Sequence, residues 1–160
     1  MKVTYKPVAE TNLVQLLELM AEFSDHEGLP FDEAQKMLAI QQLIHSPKYG
    51  RIWLIFDRAE QAIGYTALMF SYSLEDYGVI AWADEIYVRS DYRSFGIGTQ
   101  TLEFLAEQAR ANDAKLLQLE VRSDNPRAEA CYRKSGFEWS TYRVMINRLV
   151  PPQPTFSYSV

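Results

Sequence analysis

The chain has 160 residues, 13% of them aromatic, and a formal net charge of −5 at pH 7. That length suits one domain with a sizeable core, the composition excludes a disordered chain, and the negative charge makes a poor nucleic-acid binder and a better host for cationic ligands. A single cysteine excludes an intrachain disulfide, and with two scattered histidines it forms no metal-ligand spacing.

Val3-Thr4-Tyr5-Lys6 alternates and stops at Pro7, which predicts a short first strand. Thr11 or Asn12 then caps a helix carrying Leu13, Leu16, Leu17 and Met20 at helical spacing. Ser24 to Pro30 is expected to break that helix, and Asp32 to cap a second one with Leu38, Leu43 and Ile44 inside. Ile52 to Phe56 reads as a continuous apolar strand, Asp57 to Gln61 as a polar turn, and Ala62 to Tyr72 as a longer strand. Gly64 within it suggests a bulge or a close approach. After a turn at Ser73 to Gly78, Val79 to Val88 is the next strand, so three strands form an antiparallel meander.

Arg93-Ser94-Phe95-Gly96-Ile97-Gly98 follows that strand and opens a helix with Leu102, Leu105, Ala106 and Ala109 on one face. A helix start has orphan N–H groups and a partial positive charge of about +0.5. Glycines allow a phosphate to approach those groups, and Arg93 could add a charge-assisted contact. Asn112-Asp113 ends the helix, and Leu117, Leu119 and Val121 share a face of a strand over Leu116 to Val121. A strand reached through a helix should lie parallel to the previous one, with a right-handed crossover. Asn125 is placed as an N-cap, with Pro126 at the first helical position. Ala128, Cys131, Tyr132 and Ser135 share a face, and Gly136 is the expected residue after the C-cap. Tyr142 to Leu149 predicts a last strand, which Pro151-Pro152-Gln153-Pro154 cannot continue. One domain over residues 1–150 with a tail over residues 151–160 is therefore expected.

Asp84 to Val88, the R-x-x-G-x-G loop, and Asn125-Pro126-Arg127-Ala128-Glu129-Ala130-Cys131-Tyr132 through Gly136-Phe137 together resemble the GCN5-related N-acetyltransferase (GNAT) family. The resemblance implies a mixed α/β (α+β) fold, β-α-α-β-β-β-α-β-α-β, with a central splayed, mostly antiparallel sheet. It implies acetyl-CoA as cosubstrate and no metal. Its pyrophosphate is expected on Arg93, Ser94, Phe95, Gly96, Ile97, Gly98 and Thr99, with Asn125, Arg127 and Ala128 alongside. Its pantetheine arm is expected to pair with Ile86, Tyr87 and Val88 where this strand and the one at Leu116 splay apart. Tyr132 matches the family's general acid near the CoA sulfur. A free tyrosine titrates near 10 and a thiol near 8.5, so full proton transfer is uphill by roughly 2 kcal/mol. A hydrogen bond to the developing thiolate is the more plausible role. Cys131 has no histidine beside it and reads as a small core residue.

An alkyl amine is neutral in only about one molecule in 2,500 at pH 7, an obstacle of roughly 4.6 kcal/mol. A carboxylate that relays the proton lowers it. Asp84 and Glu85 are the candidates, and adjacent strand residues point to opposite faces unless the strand bulges. The stretch from Asp84 to Gly98 is similar to the diamine (spermidine/spermine) acetyltransferase branch, which has a Glu-Asp pair where this chain has Asp84-Glu85. That branch also holds its polyamine with an acidic residue after the first helix, which would be Glu27, beside His26. The expected activity is acetyl transfer to a small cationic amine by direct attack in a ternary complex. A peptide or protein N-acetyltransferase and a non-catalytic acyl-CoA-binding regulator are the alternatives. A homodimer follows from the resemblance. No apolar run approaches the roughly 20 residues needed to cross a bilayer, and no signal-peptide pattern is seen, so a cytoplasmic location is expected.

Overall fold

The computed structural model describes residues 1–147 and 149. Its elements in chain order are β1 (Thr4–Pro7), α1 (Leu13–Glu27), α2 (Glu33–His45), β2 (Gly50–Phe56), β3 (Ala62–Ser73), β4 (Gly78–Val88), α3 (Ile97–Ala111), β5 (Leu116–Leu119) and α4 (Pro126–Lys134). The five strands lie in the order β1-β2-β3-β4-β5. The first three pairings are antiparallel, and β4 with β5 is parallel.

Helices cover both faces of this sheet. Ile52 and Leu54 of β2 pack with Leu16, Leu17, Met20 and Ile40 of α1 and α2. Trp53, between them in sequence, packs on the other face with Leu105 and Ala109 of α3. That period-2 division of an all-apolar run is what a strand buried on both sides requires. Gly64 is a close approach: a Cβ there would lie 2.2 Å from the Tyr87 carbonyl oxygen.

The helix ends follow their sequence signals in part. Asp32 caps α2 by accepting from the Gln35 N–H at 3.0 Å, and Asn125 caps α4 by accepting from Ala128 N–H at 3.0 Å. At the far end of α4, Phe137 N–H bonds the Tyr132 carbonyl and Gly136 N–H the Arg133 carbonyl. Gly136 takes φ 88°. This is the left-handed C-terminal stop that glycine permits.

Several expectations are corrected. The first helix ends inside the expected break, though late in it: it runs to Glu27 and stops at Gly28, whose φ is 66°. Ser24 is buried against the core, so a residue typical of breaks serves here as a small interior one. Asn12 bonds back to Ala9 N–H and closes a 3-10 turn before α1 instead of capping the helix. Leu38 is 58% exposed, and Ile40 is the buried residue of α2. The last strand is absent among the described residues. Tyr142 to Asn147 is irregular, with Tyr142, Val144 and Ile146 at 75%, 67% and 76% exposure. Alternation gives a segment two faces but does not supply the ladder partner a strand needs. Arg148, within that expected strand, and the tail at 151–160 lie outside the described residues.

Candidate active site

The site begins with a flaw in a strand. Along β3 and β4, Ala67 pairs with Glu85 and Leu68 pairs with Ala83, so Asp84 has no partner and forms a β-bulge. Alternation would put Ala81, Ala83, Glu85 and Tyr87 on one face. The bulge breaks that set: Ala81 and Ala83 pack toward α3, whereas Tyr87 joins the α1–α2 core and Glu85 reaches α2. One extra residue thus re-aims the two side chains beyond it. Thr66, fully buried, holds the kink by donating to the Glu85 carbonyl at 3.0 Å.

The same point ends the parallel ladder. Ile80 to Ala83 pair with Leu116 to Leu119, and no pair follows. The strand β5 stops at Leu119, two residues short of the expected Val121, and the two chains diverge. A cleft of about 1330 Å³ occupies the gap, bounded by the end of α1, the edge of β4, the start of α3 and the β5–α4 segment. Ile86, Tyr87 and Val88 line it, as do Gly96, Gly98 and Thr99, Asn125, Arg127 and Ala128, and Tyr132. Such a volume suits a long ligand lying beside a small one.

One end of this cleft is built to receive an anion. Ser94 and Gly96 both take left-handed backbone, at φ 74° and 77°, to turn the chain from β4 into α3. Gly96 is the N-cap, and having no side chain it caps nothing, so the N–H groups of Ile97, Gly98 and Thr99 have no side-chain acceptor. A Cβ on Gly98 would meet only Cys131 Sγ, at 3.6 Å. Arg127 donates to Ser94 Oγ at 2.7 Å and ties α4 to the turn. Arg93 lines the cleft, and two of its guanidinium nitrogens are engaged within the protein. Its Nε donates to the Val88 carbonyl at 2.8 Å, its Nη1 lies 3.1 Å from His26 Nε2, and its guanidinium lies over the Tyr87 ring. Arg93 therefore locks the loop to β4 and to the end of α1. Facing a guanidinium donor, His26 Nε2 presents its lone pair. Phe95 is 55% exposed and stands on the outer side of the turn.

Tyr132 stands on the last turn of α4, braced by the Phe137 ring at 6.1 Å. Its hydroxyl has no protein partner among the described residues, and burial, then the neighbouring Cys131 and Glu27, push its pKa up. A hydroxyl held protonated and unpaired is a proton donor in waiting.

The neighbouring carboxylates Asp84 and Glu85 have different surroundings. Glu85 Oε1 takes an ion pair from Lys36 Nζ at 2.9 Å, and its Oε2 accepts from the Tyr65 hydroxyl at 2.9 Å. Burial, then Glu85, lift the Tyr65 pKa far above the ordinary tyrosine value, so that hydroxyl stays a donor. Asp84 has no ion pair among the described residues. Asp84 lines the cleft and is exposed, yet enough of the protein crowds its carboxyl to desolvate it in part. That desolvation, then the Glu85 charge, raises its pKa, while Lys36 opposes the shift and Glu120 adds to it. On α1, Glu27 lies 3.8 Å from Arg122, which also grips Asp124 at 2.9 Å. Higher on the same helix, Glu22 accepts from Arg89 at 2.7 to 3.1 Å and from the Tyr87 hydroxyl at 3.1 Å.

The structure thus brings Asp84, Glu85, Tyr132, His26 and Glu27 to one cleft, together with the loop from Arg93 to Thr99. Sequence reasoning missed Lys36, Tyr65, Glu120 and Arg122. Only Glu120 had a signal: it follows the apolar run of β5 as Asp84 follows Ala83, so each is the first residue past the last ladder pair, Ala83 with Leu119. Among the described residues no three His, Cys, Asp or Glu side chains converge as a metal site, and no helix is long and apolar enough to cross a membrane.

Comparison with known proteins adds to this geometry. The "Acetyltransferase (GNAT) family" profile matches residues 13–137. An integron cassette protein from the mobile metagenome of Cole Harbour Salt Marsh superposes with a TM-score of 0.83 at 26% identity, over 92% of this chain and 91% of that one. An aminoglycoside antibiotic 6′-N-acetyltransferase from Acinetobacter baumannii shares the fold, with a TM-score of 0.76 at 20% identity, over 94% of this chain and all of the other. So does a predicted acetyltransferase with acetyl-CoA from Clostridium acetobutylicum, with a TM-score of 0.76 at 16% identity, over 91% and 96% of the two chains. L-methionine sulfoximine/L-methionine sulfone acetyltransferases of Pseudomonas aeruginosa and Pseudomonas paraeruginosa are 38% identical over 55 residues, 34% of this chain and 32% of theirs. The matched stretch is thus about a third of those relatives' length.

Proposed function

The chain belongs to the GNAT acetyltransferase family, and from that premise we propose that it moves an acetyl group from acetyl-CoA to a small primary amine by direct attack in a ternary complex. The observation that carries this is one continuous cleft. An open helix N-terminus, a freed strand edge, an unpaired tyrosine hydroxyl and an unpaired carboxylate all line it. Acetyl-CoA supplies the activated acyl carbon. Its pyrophosphate suits the open N–H groups of Ile97, Gly98 and Thr99. Its pantetheine arm suits the β4 edge at Ile86 to Val88, where the β5 ladder has ended.

The chain's own groups then divide the proton work. Asp84 takes the amine's proton, directly or through water, and its raised pKa brings it nearer to working pH, where a base is most effective. Glu85 does not compete for that proton, because both its oxygens are already engaged. Tyr132 donates a hydrogen bond to the charge that develops on sulfur as the carbon–sulfur bond breaks. An ammonium nitrogen sheds two protons on becoming an amide: one ends on sulfur, passed through Tyr132 or water to give the CoA thiol, and the other leaves through Asp84 to solvent.

The favoured acceptor is a small cationic amine, with di- and polyamines the first to test. Asp84 and Glu120 support this, since neither has an ion pair among the described residues, and they flank the opening between β4 and β5. Glu27 is a weaker candidate for the distal ammonium than its sequence position suggested, because Arg122 already faces it. That arginine favours a second reading: an amine that also carries a carboxylate, the chemistry named for the Pseudomonas relatives. A mass-spectrometric screen of mono-, di- and polyamines, amino acids and peptides with acetyl-CoA separates these readings. Acetylated diamines support the first acceptor, acetylated amino acids the second, and acetylated peptides a protein acceptor. If no amine of any class gains an acetyl group, the transferase reading fails.

A further inference from the structure

Lys36 belongs to no motif, and the apolar residues by which α2 meets the core are others: buried Ile40, with Met37, Leu43 and Ile44 packed beside it. Yet Lys36 crosses to the bulge of β4, 49 residues away, and meets Glu85. The meeting point is well enclosed, with the Glu85 side chain 17% exposed and that of Lys36 35%. A carboxylate turned into the α1–α2 face needs partners. Glu85 has one at each oxygen: Lys36, the Tyr65 hydroxyl, and Thr66 on its carbonyl. It is therefore a fixed anion, and it stands one residue from Asp84.

We propose that Lys36 is a positioning residue for acetyl transfer: by holding and neutralising Glu85 behind the bulge, it keeps Asp84 as the proton acceptor of the cleft. The inference rests on the reading of Asp84 as that acceptor. The charged and titratable groups facing Asp84 come from each surrounding element: Glu85 on β4, Lys36 on α2, Glu120 at the end of β5, and the neutral Tyr65 on β3. Lys36 is the one cation among them. Without it, Asp84 faces two uncompensated carboxylates, holds its proton to higher pH, and works only in more alkaline solution. Lys36 acts on Asp84 through its own charge and through the Glu85 it holds, and no contact with an acceptor is invoked.

The test compares the parent with Lys36→Met, Lys36→Arg and Asp84→Asn. The first readout is kcat/KM from pH 5.5 to 9 with the best amine from the screen. Dividing each variant's profile by the parent's cancels the amine's own titration. Lys36→Met should lose activity progressively toward the acid end of the range, by several-fold relative to pH 8.5 once divided by the parent. Lys36→Arg should restore the parent's ratio. Lys36→Gln replaces the Met variant if thermal melting shows that it does not fold. The second readout is the carboxyl carbon resonance of Asp84 in the acetyl-CoA-free protein, assigned by its loss in Asp84→Asn. Its titration midpoint should rise in Lys36→Met and return in Lys36→Arg. A uniform loss at every pH, with an unmoved resonance, would reduce Lys36 to a structural tether and overturn the proposal. If Asp84→Asn keeps the parent's acid limb, the reading of Asp84 itself fails. If that limb vanishes in Asp84→Asn but Lys36→Met leaves it in place, only the role of Lys36 fails.

Discussion

The two ends of the cleft are built on opposite plans. At the α3 end the protein leaves its donors open: Gly96 caps nothing, and the first N–H groups of the helix face the cleft unfilled. At the Asp84 end it ties down almost every acceptor. Glu85 is held by Lys36 and Tyr65, Glu27 by Arg122, and Glu22 by Arg89. The comparison with α4 is direct, for there Asn125 fills the N-terminal site with its own side chain. An open helix start can accept any phosphate of suitable shape, which suits the proposed seat of a common cosubstrate. A network that, among the described residues, leaves only Asp84 and Glu120 without an ion pair at the β4–β5 gap suits the proposed relay of a proton there.

Neighbouring carboxylates give the strongest way to break this contrast. Asp84→Asn should lower kcat/KM by about 10²- to 10⁴-fold, the usual worth of a positioned acid–base group. Glu85→Gln, measured alongside, should change it only a few-fold, with folding checked by thermal melting. A larger loss in Glu85→Gln than in Asp84→Asn would mean that the paired carboxylate, not the free one, relays the proton. The same substitution has a stability signature. Because the Asp84 pKa is raised in the folded chain, its ionised form costs stability above that value, and the cost vanishes as pH falls below the ordinary 3.8. Asp84→Asn should therefore melt slightly higher than the parent at pH 7 to 8, and this advantage should disappear in acid.

Tyr132→Phe is next in size. The hydroxyl acts on charge that develops during the reaction, so kcat should fall about 10²-fold or more while KM changes little. Steady-state kinetics with saturating amine reads this directly. An unchanged kcat would make Tyr132 a packing residue for Phe137.

How much of each end could be read from the chain depends on the range of its contacts. The α3 end is local: glycine spacing, the strand before it and the helical pattern after it lie within twenty residues, and all appear in the structure. So do the meander, the parallel crossover and both caps at Asp32 and Asn125, because each is a short-range signal. The Asp84 end is assembled across the fold. Lys36 reaches Glu85 over 49 residues and Tyr65 over 20, and neither pairing leaves a spacing to find. The bulge was considered as a condition, but its consequence, sending Glu85 and Tyr87 to the helical face, depends on where β3 skips. Arg93 shows the limit of a motif: its charge was legible, yet its bonds go to Val88 and His26. Leu38 and the segment after Tyr142 were misread for one reason. Periodicity states which residues share a face, and the presence of a partner decides whether that face is covered.

The smallest expected effect concerns the ion pair that pins α1 to β4 beside the cleft. Hydrogen bonds from Arg89 hold the Glu22 carboxyl below its ordinary value of 4.5. A lowered folded-state value means that this stability is fully present above about 4.5 and is lost as pH falls through the lower folded value. Melting temperature against pH for Glu22→Gln and the parent should differ modestly at pH 7 and converge in acid, once pH falls below the lowered folded-state value. The pair is partly exposed, so salt should shrink the difference.

Calorimetric titration of acetyl-CoA into the parent, Gly98→Val and Asp84→Asn tests the division of the cleft most directly. Gly98 is helical and its Cβ position is open apart from Cys131 at 3.6 Å, so valine fills the approach to the helix N-terminus without straining the backbone. The expected result is binding weakened at least tenfold in Gly98→Val and unchanged in Asp84→Asn. Parent-like binding by Gly98→Val, or a matching loss in Asp84→Asn, would contradict the assignment of acetyl-CoA to the open end and of the proton to the other.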